Sequence, residues 1–213
     1  TTTATTTTDR VEDARAILMK GGWKFDETAG SWTKNKTELS LTLATADTEE
    51  LTATAERIVS AWNAAGIKAK VEIYPLQEFN QSVLRPRAYD AILFGEVVGR
   101  SLDLFAFWHS SQRNDPGLNL SLYTNADVDA ALTASRAETD PEKRRASYTT
   151  ILDSIETDIP ATFLYSPQVV YVMPERLQGV RIGTVTNPSE RFLDVYRWYR
   201  DTERVWDIFV PSN

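Results

Sequence analysis

The stretch YDAILFG at residues 89–95 contains four consecutive apolar residues and ends on a glycine. Such a run is typical of a strand buried on both faces, so we predict a strand over residues 89–94. Upstream, residues 38–45 and 67–74 alternate apolar and polar side chains, which predicts two further strands. An amphipathic helix separates those two strands and ends at Gly66. The order strand, helix, strand predicts a parallel pair and an α/β fold.

The residues on either side of these strands predict further elements. A helix is expected to begin at the capping residue Asp9 and to end at Gly21-Gly22. Residues 23–25 and 31–33 predict a hairpin, and a short helix is expected at 76–84. These additions are compatible with a lobe that contains parallel and antiparallel strands.

Two longer helices are expected after residue 125. Their ranges are 127–137 and 141–158, and Asp140 is positioned to cap the second helix. Asp47 and Glu50 resemble a capping box for the helix that precedes Gly66. The apolar spacing of the last helix predicts that four of its side chains face the core: Tyr148, Ile151, Leu152 and Ile155.

The C-terminal third combines apolar runs with an aromatic tail. Residues 163–165 and 169–172 predict two strands. Residues 191–209 are rich in Trp, Tyr and Phe, and we expect this tail to dock on an apolar surface.

Composition excludes several classes of site. The net charge is −7 and the pI is near 4.9, which argues against a nucleic acid partner because phosphates are bound by clusters of Lys and Arg. The densest basic group, Lys143-Arg144-Arg145, is interpreted as the solvated face of a helix. The chain has no cysteine, so disulfides, thiolate metal sites and cysteine nucleophiles are excluded. No run reaches the roughly 18 apolar residues of a membrane span.

Few residues indicate catalysis or metal binding. His109 is the only histidine and lacks the partners of a catalytic triad or a zinc site, so we expect a structural or surface role. Asp127 and Asp129 resemble the start of a calcium loop, but the later ligands are missing. No cofactor is expected, since no glycine pattern fits a phosphate-binding loop. Pairs of acidic residues leave an acid–base enzyme open as an alternative.

The loop after the 89–94 strand is the most informative segment. It reads GEVVGR at residues 95–100. Ligands of open α/β sheets bind beyond the carboxyl ends of the strands, and glycines allow the backbone to approach a ligand closely. The alternative is an ordinary connection between a strand and a helix.

Several motifs resemble the oligopeptide-, dipeptide- and nickel-binding type of extracellular solute-binding protein, family 5. The 89–95 stretch resembles that family's "yDm.l.g" strand, and residues 119–129, NLSLYTNADVD, resemble its "N..gY.n.evD" stretch. Asp103 falls where the family has an acidic pair before aromatic residues. The matching order continues through five further groups: Gly21-Gly22-Trp23, Phe105 with Phe107 and Trp108, residues 144–160, Phe163-Leu164-Tyr165 and Leu177-Gln178-Gly179-Val180. The resemblance covers about residues 9–200.

This resemblance implies an α/β fold, the mixed-sheet lobe of a type II periplasmic binding protein, in which two lobes close around a ligand. Residues 1–8 are seven Thr and one Ala, a composition with no reason to pack, and we expect a disordered or vector-derived tract there. The resemblance implies a C-terminal ligand-binding lobe at 9–165, and a return segment and tail at 166–213 that runs toward a missing N-terminal lobe. The expected partners are a small-molecule or peptide solute and an ABC permease in the membrane. The expected location is extracytoplasmic, in the periplasm or on the cell surface as a lipoprotein, with any signal sequence before Asp9.

The resemblance also indicates the candidate ligand residues. Peptide binders of this family often hold the ligand's amino terminus with an aspartate, and Gly99 occupies that position here, followed by Arg100. Glu96 or Asp103 would have to replace the missing acid, whereas Arg100 suits a carboxylate unless it pairs with Asp103. Arg136 is expected to face solvent. The predicted ligand-binding residues are Glu96, Val97, Val98, Gly99, Arg100 and Asp103, with no catalytic residue and no metal ligand.

Two other functions remain as alternatives. A hydrolase would need a clustered acid and base in the structure and turnover of a substrate. A stand-alone interaction domain predicts that the gene encodes no second binding lobe upstream.

Overall fold

The computed structural model describes residues 7–99, 103–183 and 185–200. Within these residues the chain forms two compact units. The first contains residues 7–96 together with Ala106–Asn125. The second contains Val97–Phe105 together with residues from 126 onward. The domain boundaries predicted from the resemblance remain a prediction.

The first unit starts with a helix and a small antiparallel sheet. Helix α1 spans Thr7–Lys20, so Asp9 lies inside the helix and does not cap it. Strands β1 (Lys24–Asp26), β2 (Ser31–Lys34) and β3 (Thr37–Glu38) pair in the order β1-β2-β3, which confirms the predicted hairpin. Trp32 is 2% exposed, and its indole Nε1 donates a hydrogen bond to the Ala65 carbonyl at 2.7 Å. This bond ties the hairpin to the end of the next helix.

A parallel sheet forms the centre of the first unit. Strand β4 is Ser40–Ala46, helix α2 is Glu49–Ala64, strand β5 is Lys68–Tyr74 and strand β6 is Ala91–Leu93. The strand order is β5-β4-β6, and both pairs are parallel. The α/β class is therefore confirmed. Among the described residues, however, parallel and antiparallel pairs lie in separate sheets: β4, β5 and β6 pair in parallel, and β1, β2 and β3 pair antiparallel.

Strand β4 contributes to the core on both of its faces. Leu43 packs with Ala55 and Val59 of α2, whereas Ala44 and Ala46 pack with Phe79 and other residues on the opposite face. This alternation follows from the two-residue period of a strand. Both faces of the strand are therefore covered, which makes β4 the most buried strand of this unit.

At α2, as at α1, the capping residue differs from the sequence prediction. Thr48, and not Asp47, is the N-cap of α2, and its hydroxyl accepts a hydrogen bond from the Leu51 amide. Gly66 follows the helix with φ of 93°, as its predicted role requires. The short helix α3 (Leu76–Glu78) continues into a π-helical turn over Phe79–Leu84, whose buried residues cover the sheet.

The second unit is built on two helices that pack together. Along the chain, the short helix α4 (Phe105–Trp108) comes before them; helix α5 then spans Ala126–Ala137 and helix α6 spans Pro141–Asp158. Asp140 caps α6 by accepting the Glu142 amide at 2.9 Å, as predicted. The predicted core face is confirmed for Ile151 and Ile155 but is wrong for Leu152, which is 56% exposed. Leu152 follows Ile151 directly and therefore lies about 100° around the helix from it.

The two strands predicted at 163–165 and 169–172 are wrong, since the structure has no strand at these residues. Phe163, Val170 and Val172 are instead 72%, 85% and 87% exposed. Apolar, β-branched composition favours a strand only when another strand supplies hydrogen bonds, and none of the described residues does so here. The later strands β7 (Leu177–Gln178) and β8 (Tyr199–Arg200) pair antiparallel.

The described part of the aromatic tail packs within the second unit. Tyr171, Phe192 and Trp198 form a cluster whose ring centroids lie 5.7 to 6.2 Å apart. Residues 201–209 of the predicted tail lie outside the described residues. No helix of the described residues combines the length and the apolar character that a membrane span requires.

Candidate functional site

The candidate site begins where the parallel sheet ends. The register pairs Thr45 with Leu93 and Ala46 with Tyr74, so the carboxyl ends of β4, β5 and β6 meet at one edge. The Thr45 side chain is fully buried and donates a hydrogen bond to the Leu93 carbonyl at 2.9 Å. This bond fixes the last residue of β6 and therefore the start of the connection over residues 94–104, which we call the ligand loop.

The polar residues of the YDAILFG stretch stabilise the fold. Asp90, which directly precedes β6, accepts a hydrogen bond at 3.0 Å from the Thr42 amide of the neighbouring strand β4. The Tyr89 hydroxyl donates a short hydrogen bond to the Leu120 carbonyl, and burial raises the pKa of this hydroxyl. The motif therefore positions the loop, while its polar side chains are used internally.

Glu96 is the last residue of the first unit and the first acid of the loop. Its side chain is exposed, yet the protein around it raises the pKa of the carboxyl to about 7, because the carboxylate loses part of its hydration. Glu96 is therefore partly protonated near neutral pH. A cationic ligand group would favour the charged form.

The residues after Glu96 present apolar surface and open backbone. Val97 is 64% exposed, and Val98 is half-buried. A Cβ atom added at Gly95 or Gly99 would meet no described atom within 4 Å, and neither glycine has a positive φ. Neither the backbone conformation nor the packing of the described residues requires glycine here. No described atom occupies the space in front of either position.

The last two predicted ligand residues have different outcomes. Arg100 lies outside the described residues, so its role stays a prediction. Asp103 forms an ion pair with Arg136: the guanidinium Nη2 and the carboxylate Oδ2 are 2.6 Å apart. Arg136 faces solvent, as predicted, but it also has a role that was not predicted, since it holds this ion pair. Because Arg136 donates hydrogen bonds to Asp103, it lowers the pKa of that carboxyl.

Asn119 organises the segment that follows the loop. Its side chain is fully buried, and its amide group donates to the carbonyls of Trp108, His109 and Tyr123 at 3.0 to 3.2 Å. Its carbonyl oxygen accepts from the Tyr123 amide and the Ser121 hydroxyl. Asn119, the first residue of the NLSLYTNADVD stretch at 119–129, is thus a structural residue of the first unit.

The remaining sequence candidates have structural roles. The His109 Nδ1 atom accepts the Ser111 amide at 3.1 Å and caps the 3-10 turn Ser110–Gln112. Asp127 and Asp129 lie in the first turn of α5. In the described ranges no group of three His, Cys, Asp or Glu side chains is placed to hold a metal ion. The basic group at 143–145 is exposed, as predicted.

Two hollows in the described surface lie away from the predicted ligand residues. One, of about 310 Å³, is lined by the first residues of β4 and β5 together with Asn63. The other, of about 460 Å³, lies in the second unit between residues 167–171 and Arg191. Thr45 and Arg136 are site residues that the sequence analysis missed. Neither carries a motif, and their roles appear only when the elements pack.

The sheet edge and the loop after β6 define the α/β class in which ligands bind at the carboxyl ends of parallel strands. No family model matches the chain. It is 27% identical to the oligopeptide-binding protein AppA of Bacillus subtilis (strain 168) over 188 residues, which are 87% of this chain and 34% of that protein. It is also 34% identical to protein XP55 of Streptomyces lividans over 119 residues, 54% of this chain and 21% of that protein.

Solved structures show the same relationship. The structure of AppA from Bacillus subtilis in complex with a nonapeptide matches with a TM-score of 0.72 and 25% identity, covering 90% of this chain and 37% of that chain. NikZ from Campylobacter jejuni in complex with Ni(L-His) matches with a TM-score of 0.68 and 21% identity, over 89% of this chain and 39% of that chain. These relatives confirm the resemblance to peptide- and nickel-binding ABC-transporter solute-binding proteins. The chain spans about a third of the length of the relative AppA.

Proposed function

We propose that the chain is the C-terminal ligand-binding lobe of a solute-binding protein that captures a small solute and delivers it to an ABC permease. The observation that carries this proposal is the loop after β6, which starts at the carboxyl edge of the parallel sheet and leaves Gly95 and Gly99 open. A non-covalent binding site needs backbone groups that a ligand can reach and apolar side chains beside them, and this loop offers both.

The solute class favoured by the relatives is a peptide. The relative with 27% identity is named as an oligopeptide-binding protein, and its structure contains a nonapeptide. NikZ, with Ni(L-His), supports the shared fold only. We therefore propose a peptide as the first ligand to test. In this proposal Glu96, Val97, Val98 and Gly99 contribute to its binding.

The proposal includes a second lobe and an extracytoplasmic location. The chain matches about a third of a relative that binds its ligand as a longer protein. The exposed side chains of Phe163, Val170 and Val172 supply an apolar surface that a second lobe would cover. The permease and the extracytoplasmic location are part of the same proposal, which is supported by structural neighbours whose names refer to ABC transporters.

A matched pair of variants tests the ligand loop. Val97→Asp places a charge on the proposed apolar wall, whereas Val170→Asp changes another exposed valine away from the loop. Losing the burial of one valine, which contributes about 1.5 kcal/mol or more, predicts roughly tenfold weaker binding of a nonapeptide pool for Val97→Asp. Calorimetry at millimolar peptide measures both variants. Equal affinities would remove Val97 from the site.

Mass spectrometry of the same mixtures separates this function from a hydrolase. The proposal predicts that the peptides are recovered intact after prolonged incubation with the protein. Time-dependent cleavage that is lost after heat inactivation of this chain would favour an enzyme.

A further inference from the structure

The side chains of Asp103, Phe105 and Arg136 form a clasp at the end of the ligand loop. The Arg136 Nε atom lies 3.0 Å from each carboxylate oxygen of Asp103, and Nη2 lies 2.6 Å from Oδ2. The Arg136 Cζ atom lies 3.9 Å from the centroid of the Phe105 ring. The Phe105 amide donates to Asp103 Oδ1 at 3.1 Å. Each member therefore contacts the other two.

The clasp joins helix α5 to residues 103–105, all of which belong to the second unit. Arg136 lies in the last turn of α5, and Phe105 is the first residue of the short helix α4 (Phe105–Trp108). The planar guanidinium presents its edge to a carboxylate and its face to an aromatic ring, which a lysine ammonium cannot do in the same way. The clasp thus depends on arginine for its shape as well as for its charge.

The clasp also occupies both carboxylate oxygens of Asp103. Both carboxylate oxygens of Asp103 accept hydrogen bonds from Arg136, and one also accepts from the Phe105 amide. A cationic ligand group near Asp103 would have to compete with a bidentate arginine that is already in place. Asp103 is therefore a poor replacement for an amine-binding acid.

We infer that Arg136 is a positioning residue: through Asp103 and Phe105 it fixes the end of the ligand loop onto α5, and Asp103 serves this clasp and does not anchor a ligand cation. The description of the loop as ligand-binding rests on the proposed function. The contacts of the clasp do not depend on that function.

Hydrogen exchange without ligand tests the clasp. Arg136→Ala should accelerate exchange of the Phe105 amide, and of its neighbours in α4, about fivefold, because the bidentate pair and the cation–π contact are both lost. Arg136→Lys should give an intermediate rate, since the charge remains. Arg145→Ala, an exposed arginine on α6, is the matched control and should leave exchange at Phe105 unchanged. Equal rates in Arg136→Ala and Arg145→Ala would overturn the inference.

A double-mutant cycle with the nonapeptide pool tests the role of Asp103. If both residues act through the clasp, Asp103→Ala should weaken peptide binding no further once Arg136 is already alanine. Additive losses would show that Asp103 contacts the ligand itself and would overturn that part of the inference. If the unmodified chain binds no peptide, the proposed function fails, whereas the exchange experiment still decides whether the clasp holds the loop.

Discussion

Replacing Asn119 with alanine should destabilise the first unit strongly. The side chain is fully buried and makes three donated and two accepted hydrogen bonds. The carbonyls of Trp108 and Tyr123 and the Tyr123 amide each lose a hydrogen bond to Asn119 in a buried environment. Each buried hydrogen bond lost costs about 1 kcal/mol, so we expect the free energy of unfolding to fall by about 3 kcal/mol. This is a large share of a typical domain stability.

Urea denaturation followed by circular dichroism measures this loss. Asn119→Asp provides a sharper version, because it replaces the donating amide with an acceptor that faces three carbonyl groups. It should be more destabilising than alanine at neutral pH and should recover as the pH is lowered. Asn80→Ala is the control, since Asn80 is exposed and donates one hydrogen bond to the Leu76 carbonyl. A loss below about 1 kcal/mol for Asn119→Ala would refute the reasoning.

Three further predictions concern electrostatics, backbone and surface. The pKa of Glu96 is raised to about 7 in the folded protein, so the folded state binds more protons than the unfolded state between about pH 4.5 and 7. The stability of the protein should therefore fall as the pH rises through that window. Glu96→Gln should flatten this decline in thermal melts recorded across pH 4 to 8, and an unchanged decline would exclude the carboxyl as its source. Gly66→Ala should lower the free energy of unfolding by about 2–4 kcal/mol in urea denaturation, because φ is +93° and the new Cβ would lie 2.5 Å from the Phe25 ring. Gly30→Ala is the control and should lower it by about 1 kcal/mol, since Gly30 has a positive φ but no atom within 4 Å of the new Cβ. Equal decreases in the two variants would contradict the predicted clash. Val170→Asp should reduce binding of a hydrophobic dye without lowering the melting temperature, since the side chain is 85% exposed, and a lower melting temperature would show that Val170 is packed.

The sequence predicted those elements that local patterns determine. The helix α6 matches its predicted bounds because Asp140, Pro141 and the apolar spacing act within one segment. The parallel pair of β4 and β5 follows from the strand–helix–strand order, and the register then brings β6 to the same edge. The start of the ligand loop was therefore predictable.

Other features depend on partners that are distant in sequence. Residues 163–172 have strand-like composition but no strand partner among the described residues. The ion pair between Asp103 and Arg136 joins side chains 33 positions apart, and no local pattern links them. Thr48 replaced Asp47 as the cap because the choice between adjacent capping residues depends on where the chain turns. These features follow from packing and could not be derived from spacing.

A ¹⁵N NMR titration of this chain with the nonapeptide pool tests directly whether the ligand loop binds a solute. We expect saturable shifts of the Gly95 and Gly99 amides with millimolar affinity, about −4 kcal/mol, because one lobe supplies only part of a closing cleft. The Gly30 amide, in the hairpin turn, should not move. Shifts confined to Gly183, which lines the hollow of the second unit, would place binding elsewhere. The absence of saturable shifts at Gly95 and Gly99 up to about 10 mM peptide would contradict the proposed solute-binding loop.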